Sequence, residues 1–369
     1  MFQWIMPAIR PFRTPAVHGR GAQSDAAPGR FGLAQRQADG DWLDAREEVD
    51  GAPGKLRTTV TEEHPKTILS FNKSPDVAFD RSINAYRGCE HGCIYCFARP
   101  THAFHDLSPG LDFETKLFAK PQAASLLRET LAKPGYKPAP IAMGTNTDPY
   151  QPIEDRYRIT RQVLELCLEL RHPVTITTKS ARVTRDLDLL AEMARLKLIA
   201  VGISVTSLDP RLSGLLEPRA SAPLKRLDAL GRLAAAGVPV HVSIAPVIPS
   251  ITDQFIEGIL SAAHDRGVPS ASWIMLRLPH EVAPLFREWL EVHFPDRAAK
   301  VMHTVQSIRG GRDNDPDFFT RMKPQGVWAD LFRTRFRLAC KRLGMNKVAI
   351  DLDVGGFRKP SPGGQLSLL

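Results

Sequence analysis

From Ser82 to Leu276 short apolar runs recur, each separated from the next by a stretch whose apolar residues fall at helical spacing. Six runs stand out: Ser82 to Tyr86, Pro140 to Gly144, Val174 to Thr178, Leu198 to Ser204, Val238 to Ala245 and Ala271 to Leu276. Each interval is one strand plus one helix long, the signature of βα units around a parallel sheet. A doubly wound open sheet and a partial barrel both read this way, and both use right-handed crossovers. Polar residues at the ends of many successive strands favour the barrel, because a single switch-point crevice does not need them. The expected fold class is therefore α/β, a partial (β/α)6 TIM-like barrel with its chemistry on the loops after the C-terminal strand ends.

The connecting helices are legible too. Near Arg156 a helix carries Ile159, Val163, Leu166, Cys167 and Leu170 at helical spacing and stops at His172-Pro173. Another runs from Pro223 to Ala236 with Leu224, Leu227, Leu230 and Leu233, capped by Gly237. A C-terminal helix from Trp328 to Leu343 groups Trp328, Leu331, Phe332, Phe336, Ala339 and Leu343 on one side, with Arg333, Arg337 and Lys341 on the other. The expected organisation is an N-terminal arm over 1–60, largely without order, a barrel core over 65–300, an extension over 301–360 packed on the barrel, and a flexible tail over 361–369. The arm is assigned on residues 15–55, rich in Gly, Ala, Pro, Asp and Arg without periodicity. Its start, FQWIMPAI, is too short and too soon followed by Arg10 to make a secretory core.

Between the first strand and the next helix lies Arg87-Gly-Cys-Glu-His-Gly-Cys-Ile-Tyr-Cys-Phe-Ala-Arg99. Three thiols at Cys-x3-Cys-x2-Cys on one short loop are soft ligands for zinc or an iron-sulfur cluster, and Gly88 and Gly92 let the backbone wrap a compact object. Three ligands hold a cluster and leave one iron open. A Cys3His zinc site completed by His91, His102 or His105 is the alternative, with buried unligated thiols as a second. With only five cysteines, three of them crowded together, a secreted disulfide scaffold is not expected and a reducing cytoplasm is. No apolar run reaches membrane-spanning length. The chain carries 49 basic against 40 acidic residues, a net +9, which suits a polyanion and argues against a strongly acidic partner.

Cys89-x3-Cys93-x-Tyr95-Cys96, with its aromatic residue before the third cysteine, resembles the motif of the radical S-adenosylmethionine (radical SAM) superfamily. Further positions from about residue 65 to 359 resemble its spore photoproduct lyase-like branch, within which the chain looks like a bacterial group named after a pseudomonad member. The resemblance implies a [4Fe-4S] cluster on Cys89, Cys93 and Cys96, with S-adenosylmethionine on its open iron and reductive cleavage to a 5'-deoxyadenosyl radical. It also implies cofactor contacts from Tyr95, from the loop Thr145, Asn146, Thr147 and Asp148, and from Lys179 at the third strand end. Ser204 on the fourth strand is preferred to Thr206 as a ribose contact, and the fifth strand around Ala245 packs its backbone on adenine. Arg219 is expected on a carboxylate or nucleic acid phosphate, or else in an ion pair with Glu217.

The resemblance is incomplete. Spore photoproduct lyase uses a cysteine on the loop after the second strand to return a hydrogen atom, and residues 143–155 contain none. Cys167 and Cys340 sit at helix-core spacing and read as packing residues. Thymine dimer reversal is therefore not expected, no catalytic residue is assigned, and lesion repair or base modification of nucleic acid is the leading expectation. Arg309-Gly-Gly-Arg312-Asp-Asn reads as a polar loop able to close the barrel mouth. Gln365 to Leu369 resembles the peptide by which bacterial replication and repair proteins bind the sliding clamp. An electron donor such as flavodoxin or ferredoxin is the remaining expected partner. A zinc-binding nucleic acid module and a clamp-associated scaffold are the rival readings.

Overall fold

The computed structural model describes residues 19–25 and 57–360. The proposed clamp peptide at Gln365 to Leu369 and the rest of the N-terminal arm lie outside these residues. Seven strands form the main sheet, in the order β10-β9-β8-β7-β6-β3-β2. They are β2 (Leu69–Phe71), β3 (Arg81–Ile83), β6 (Ile141–Met143), β7 (Val174–Thr178), β8 (Ile199–Ser204), β9 (Val240–Val247) and β10 (Ser270–Met275). All pair in parallel except β2, which runs antiparallel to β3. From β3 to β10 spatial order follows chain order without reversal, so there is no switch point, and this decides for the partial barrel over the doubly wound sheet.

The strands form where β-branched residues recur at every second position and bury one face of the sheet. Ile199, Val201 and Ile203 of β8, and Val240, Val242 and Ile244 of β9, are fully enclosed. Helices return the chain between them: α1 (Asp112–Thr115), α2 (Ala123–Ala132), α3 (Glu154–Tyr157), α4 (Ile159–Glu169), α5 (Leu187–Arg195), α6 (Pro210–Leu216), α7 (Pro223–Ala235) and α8 (Ile256–His264). In α7 Pro223 occupies the first turn, and Gly237 at φ +76° ends the helix as expected. Burying Leu227, Leu230 and Leu233 on the sheet contributes roughly 2 kcal/mol each. Leu224 departs from the expected stripe and is 63% exposed, because it sits on the outer side of the first turn.

The first expected strand, Ser82 to Tyr86, is interrupted. After Ile83 the chain leaves the main sheet, and β4 (Tyr86–Arg87) joins β1 (Thr59–Glu62) and β5 (Lys116–Ala119) in a small second sheet, order β1-β5-β4. Asn84 causes the break. Its Oδ1 accepts the amides of Asn146 (3.0 Å) and Thr147 (3.3 Å), so the side chain takes over the ladder that the backbone abandons. The strands β1, β2 and β5 are absent from the sequence reading because they are short and partly exposed.

Beyond β10, α9 (Val282–His293) and α10 (Pro295–Ser307) pack together and α11 (Val327–Leu343) packs on α8. Helix α11 buries Ala329, Phe332, Ala339 and Cys340. Trp328 and Leu331, expected on its inner face, are instead exposed, because the helix contacts the barrel along a stripe one residue round. Arg335 pairs with Glu257 of α8 at 2.7 Å. The Arg309 loop does not reach the mouth as a free arm: Arg309 is buried and donates to Leu276 O at 2.7 Å and Arg321 O at 3.1 Å. Arg321 in turn forms a bidentate pair with Asp76, both contacts 2.6 Å. This pair joins the loop before β3 to the segment after β10, tying the two edges of the open sheet. Among the described residues no helix is long and apolar enough to cross a membrane.

Candidate active site

The cysteine loop follows β4 at the C-terminal end of β3, and glycine geometry shapes it. Gly88 and Gly92 have φ of +70° and +64°; a Cβ on Gly88 would lie 2.8 Å from Phe113 O, and one on Gly92 2.7 Å from a Glu114 carboxylate oxygen. Arg99, fully buried just past the loop, holds it from below. Its guanidinium donates to Gly92 O (3.1 Å), Cys93 O (2.9 Å), Pro109 O (3.0 Å) and Gly110 O (2.9 Å), and it pairs with the buried Glu114. Glu114 also accepts the backbone amides of Gly21 (3.0 Å) and Ala22 (2.8 Å). Gly21 lies so close to Gly92 O that no Cβ fits between them. Residues 19–25 therefore form a strap against the cysteine loop, contrary to the loosely attached arm expected there, and a glycine-rich sequence conceals it because close backbone approach needs no side-chain pattern.

Cys89 and Cys93 are buried and Cys96 is half-buried. Burial pushes the Cys89 thiol well up and the Cys93 thiol to about 12, so both are neutral at pH 7 unless a metal takes the sulfur. Two of the three histidines expected to complete a zinc site are engaged otherwise: His102 Nε2 meets Lys116 O at 2.9 Å and His105 packs on Phe118. His91 points Nδ1 at Asp148 (3.3 Å), and its buried Nε2 has no partner among the described residues. Among the described residues no three His, Cys, Asp or Glu side chains are grouped to hold a single metal ion. A donor set of three thiols on one wrapped loop fits an iron-sulfur cluster with an open iron better than closed tetrahedral zinc.

Around this loop the strand ends converge. After β6, Thr147 donates to Tyr86 O at 3.3 Å, Thr145 lies 3.3 Å from the Asn84 amide, and the Asn146 amide reaches Thr101 at 3.5 Å. Asp148 is saturated: it accepts Thr178 Oγ1 (2.6 Å), the Lys179 amide (2.7 Å) and the Tyr150 amide (2.9 Å), besides facing His91. Burial pushes its carboxyl up, but the His91 ring and these hydrogen bonds outweigh it and hold the group at about 2. Its place is to tie the β6 loop to the β7 end and to the cysteine loop.

Lys179 at the end of β7 is no solvated surface charge. Its ammonium stands 5.7 Å from the Tyr95 ring centroid and makes no hydrogen bond among the described residues. Burial pulls its pKa down, yet Cys93 and Glu217 raise it further, and the group stays charged. The Tyr95 hydroxyl is bonded to Glu217, and Thr206 Oγ1 donates to Glu217 at 2.8 Å. Glu217 is also paired with the buried Arg226, not with Arg219. Arg219 goes instead to Glu90 at 2.9 Å, while its amide donates to His91 O at 3.2 Å. Thr206 is thus occupied, whereas the Ser204 hydroxyl, buried at the end of β8, has no hydrogen bond among the described residues. Ala245 O accepts Thr206 Oγ1 at 3.3 Å. The sequence reading missed the network of Glu217 and Arg226, and that of Glu114 and Arg99, because buried ion pairs between distant positions leave no local spacing.

The radical SAM superfamily model matches residues 83–263. An uncharacterized protein of Mycobacterium tuberculosis is 35% identical over 236 residues, covering 63% of this chain and 69% of the relative. A second, from Methanocaldococcus jannaschii, is 30% identical over 177 residues, 48% of this chain and 64% of the relative. Among solved structures, spore photoproduct lyase complexed with dinucleoside spore photoproduct superposes with a TM-score of 0.57 at 16% identity, over 78% of this chain and 81% of that one. At that identity the likeness concerns the fold. Motif, barrel and relatives agree: the chain belongs to the radical SAM superfamily, shares the fold of spore photoproduct lyase, and is an enzyme whose cofactors are a [4Fe-4S] cluster and S-adenosylmethionine.

Proposed function

We propose that Cys89, Cys93 and Cys96 hold the cluster, that S-adenosylmethionine lies over this loop at the barrel mouth, and that the substrate is a nucleic acid. When held there, the cluster would supply one-electron reduction of S-adenosylmethionine, the radical chemistry by which the superfamily abstracts hydrogen. The carrying observation is the placing of three thiols on one wrapped loop, two buried and one half-buried, with two uncommitted donors, the Lys179 ammonium and the Ser204 hydroxyl, on neighbouring strand ends.

Lys179 is suited to the carboxylate of an amino acid group, and Ser204 to a ribose hydroxyl. The backbone at Ala245, on the next strand, offers packing for a base. Tyr95, Asp148, Thr147 and Arg219 have their polar atoms engaged within the protein, and we assign them to positioning the loop. Thr145 and Asn146 retain hydrogen-bonding capacity beyond their contacts with Asn84 and Thr101. A nucleic acid substrate is supported by the net charge of +9 and by the exposed Arg337 and Lys341 on the outer face of α11. Radical formation needs an external one-electron donor of the flavodoxin or ferredoxin kind.

Stimulated turnover tests this reading. Reconstituted, dithionite-reduced enzyme is given S-adenosylmethionine with DNA, tRNA, peptide or no addition, and 5'-deoxyadenosine is followed over time. Faster formation with one nucleic acid class is expected. Equal rates in all four mixtures would remove nucleic acid as the substrate.

A further inference from the structure

Beside the cysteine loop lies a cavity of about 460 Å³ whose lining includes Lys66, Asn84, Arg87, Lys120 and Asn146. It sits where β2 meets β3 at the edge of the open sheet, and two of its residues belong to the machinery described above. Arg87 precedes Cys89 by two positions, and Asn146 belongs to the loop that carries Asp148. The volume falls within the usual range for small-molecule sites.

Its charge is unbalanced. Lys120 is only 8% exposed, yet its ammonium makes one hydrogen bond, to Asn84 O at 3.0 Å, and no ion pair among the described residues. Burial, and then Arg87, push its pKa down to about 8, outweighing the opposite pull of Glu63. Arg87 has one carboxylate partner, Glu63 at 2.7 Å, which does not line the cavity. Lys66 is exposed and forms no ion pair among the described residues. Three cationic side chains and two amides thus line the cavity with Glu63 alone to oppose them, and a buried lysine in no ion pair is an expensive arrangement.

We propose that this cavity is a phosphate subsite, binding a phosphodiester of the substrate strand through Lys66, Arg87 and Lys120 and so setting the neighbouring nucleotide against the cysteine loop. The proposal rests on the nucleic acid reading above for the source of the phosphate. The chemistry alone fits any phosphate, so free phosphate and strand phosphate are separated by experiment. Tetrahedral phosphate has the acceptors to engage several donors at once.

The test measures binding of a labelled single-stranded oligothymidylate by anisotropy, and of inorganic phosphate by calorimetry, with the native full chain, Lys66→Gln and Lys120→Met. Lys66→Gln alters an exposed residue, so it reports even where Lys120→Met folds poorly. Each substitution is expected to weaken oligonucleotide binding about tenfold and to reduce the slope of log affinity against log salt by about 0.7. Oligonucleotide binding that is undiminished and equally salt-dependent in both variants would overturn the subsite and leave the nucleic acid reading standing. Phosphate binding that the variants weaken, in a protein that binds no oligonucleotide, would keep the subsite and overturn the nucleic acid reading. Binding of neither probe by the native chain would overturn both.

Discussion

Replacing Arg99 by Met should come close to unfolding the metal-free protein. The guanidinium is fully buried, pairs with the equally buried Glu114, and donates to four carbonyl oxygens, two of them within the cysteine loop. Breaking a buried pair by deleting one partner costs about 3–5 kcal/mol, and each carbonyl left dry and unbonded adds about 1 kcal/mol or more. Water entering the site offsets part of this, so we expect a loss of at least about 4 kcal/mol out of a typical total of about 5–15. Arg99→Met/Glu114→Met removes the stranded carboxylate as well, and its loss should be clearly smaller than the sum of the single losses. Urea unfolding of the reduced, metal-free chain, followed by tryptophan fluorescence, supplies the midpoints and slopes. Single losses under about 1 kcal/mol, or strictly additive ones, would refute the argument that this pair holds the loop.

Three further outcomes follow from the same structure. His172 is buried, accepts the Tyr136 hydroxyl on Nε2 (2.8 Å) and donates from Nδ1 to Pro173 O (3.1 Å), and burial lowers its pKa to about 4. The unfolded chain therefore takes up this proton first: the stabilisation is complete above about pH 6.5 and is lost as pH falls towards 4, by roughly 3 kcal/mol. A His172→Phe variant should lose that part of the pH slope in unfolding experiments, and parallel curves would contradict the assignment. Gly21→Val should displace the strap and lower the iron retained per chain after reconstitution and gel filtration, while full iron content would show that the strap does not support the loop. Lys179→Met should leave the cluster's visible absorption unchanged yet weaken S-adenosylmethionine binding about tenfold; unchanged binding would free Lys179 of its role.

The parallel strands were legible because short runs with β-branched residues at every second position stand out against the helices between them; β7 has the expected bounds. Asn84 shows the limit of such reasoning: the apolar pattern runs on to Tyr86, but one amide side chain bonds the β6 loop and ends the strand early. The three thiols were legible because metal ligation demands a spacing that chance seldom produces. Glu217 was considered only as a partner of Arg219, and the structure gives it to Arg226 instead, since which buried charge meets which is fixed by packing across units. The strap at residues 19–25 was hidden for a related reason: it is held by backbone amides on Glu114 and by polar side chains such as Arg20 and Ser24, which carry no hydrophobic periodicity.

The central claim is tested most directly by anaerobic reconstitution with iron and sulfide, reduction with dithionite, and chromatography of the products formed from S-adenosylmethionine. The native chain should yield 5'-deoxyadenosine, and Cys89→Ala, Cys93→Ala and Cys96→Ala should each yield none. A native chain that binds zinc in place of iron and forms no 5'-deoxyadenosine, or a Cys93→Ala variant as productive as the native one, would contradict the account.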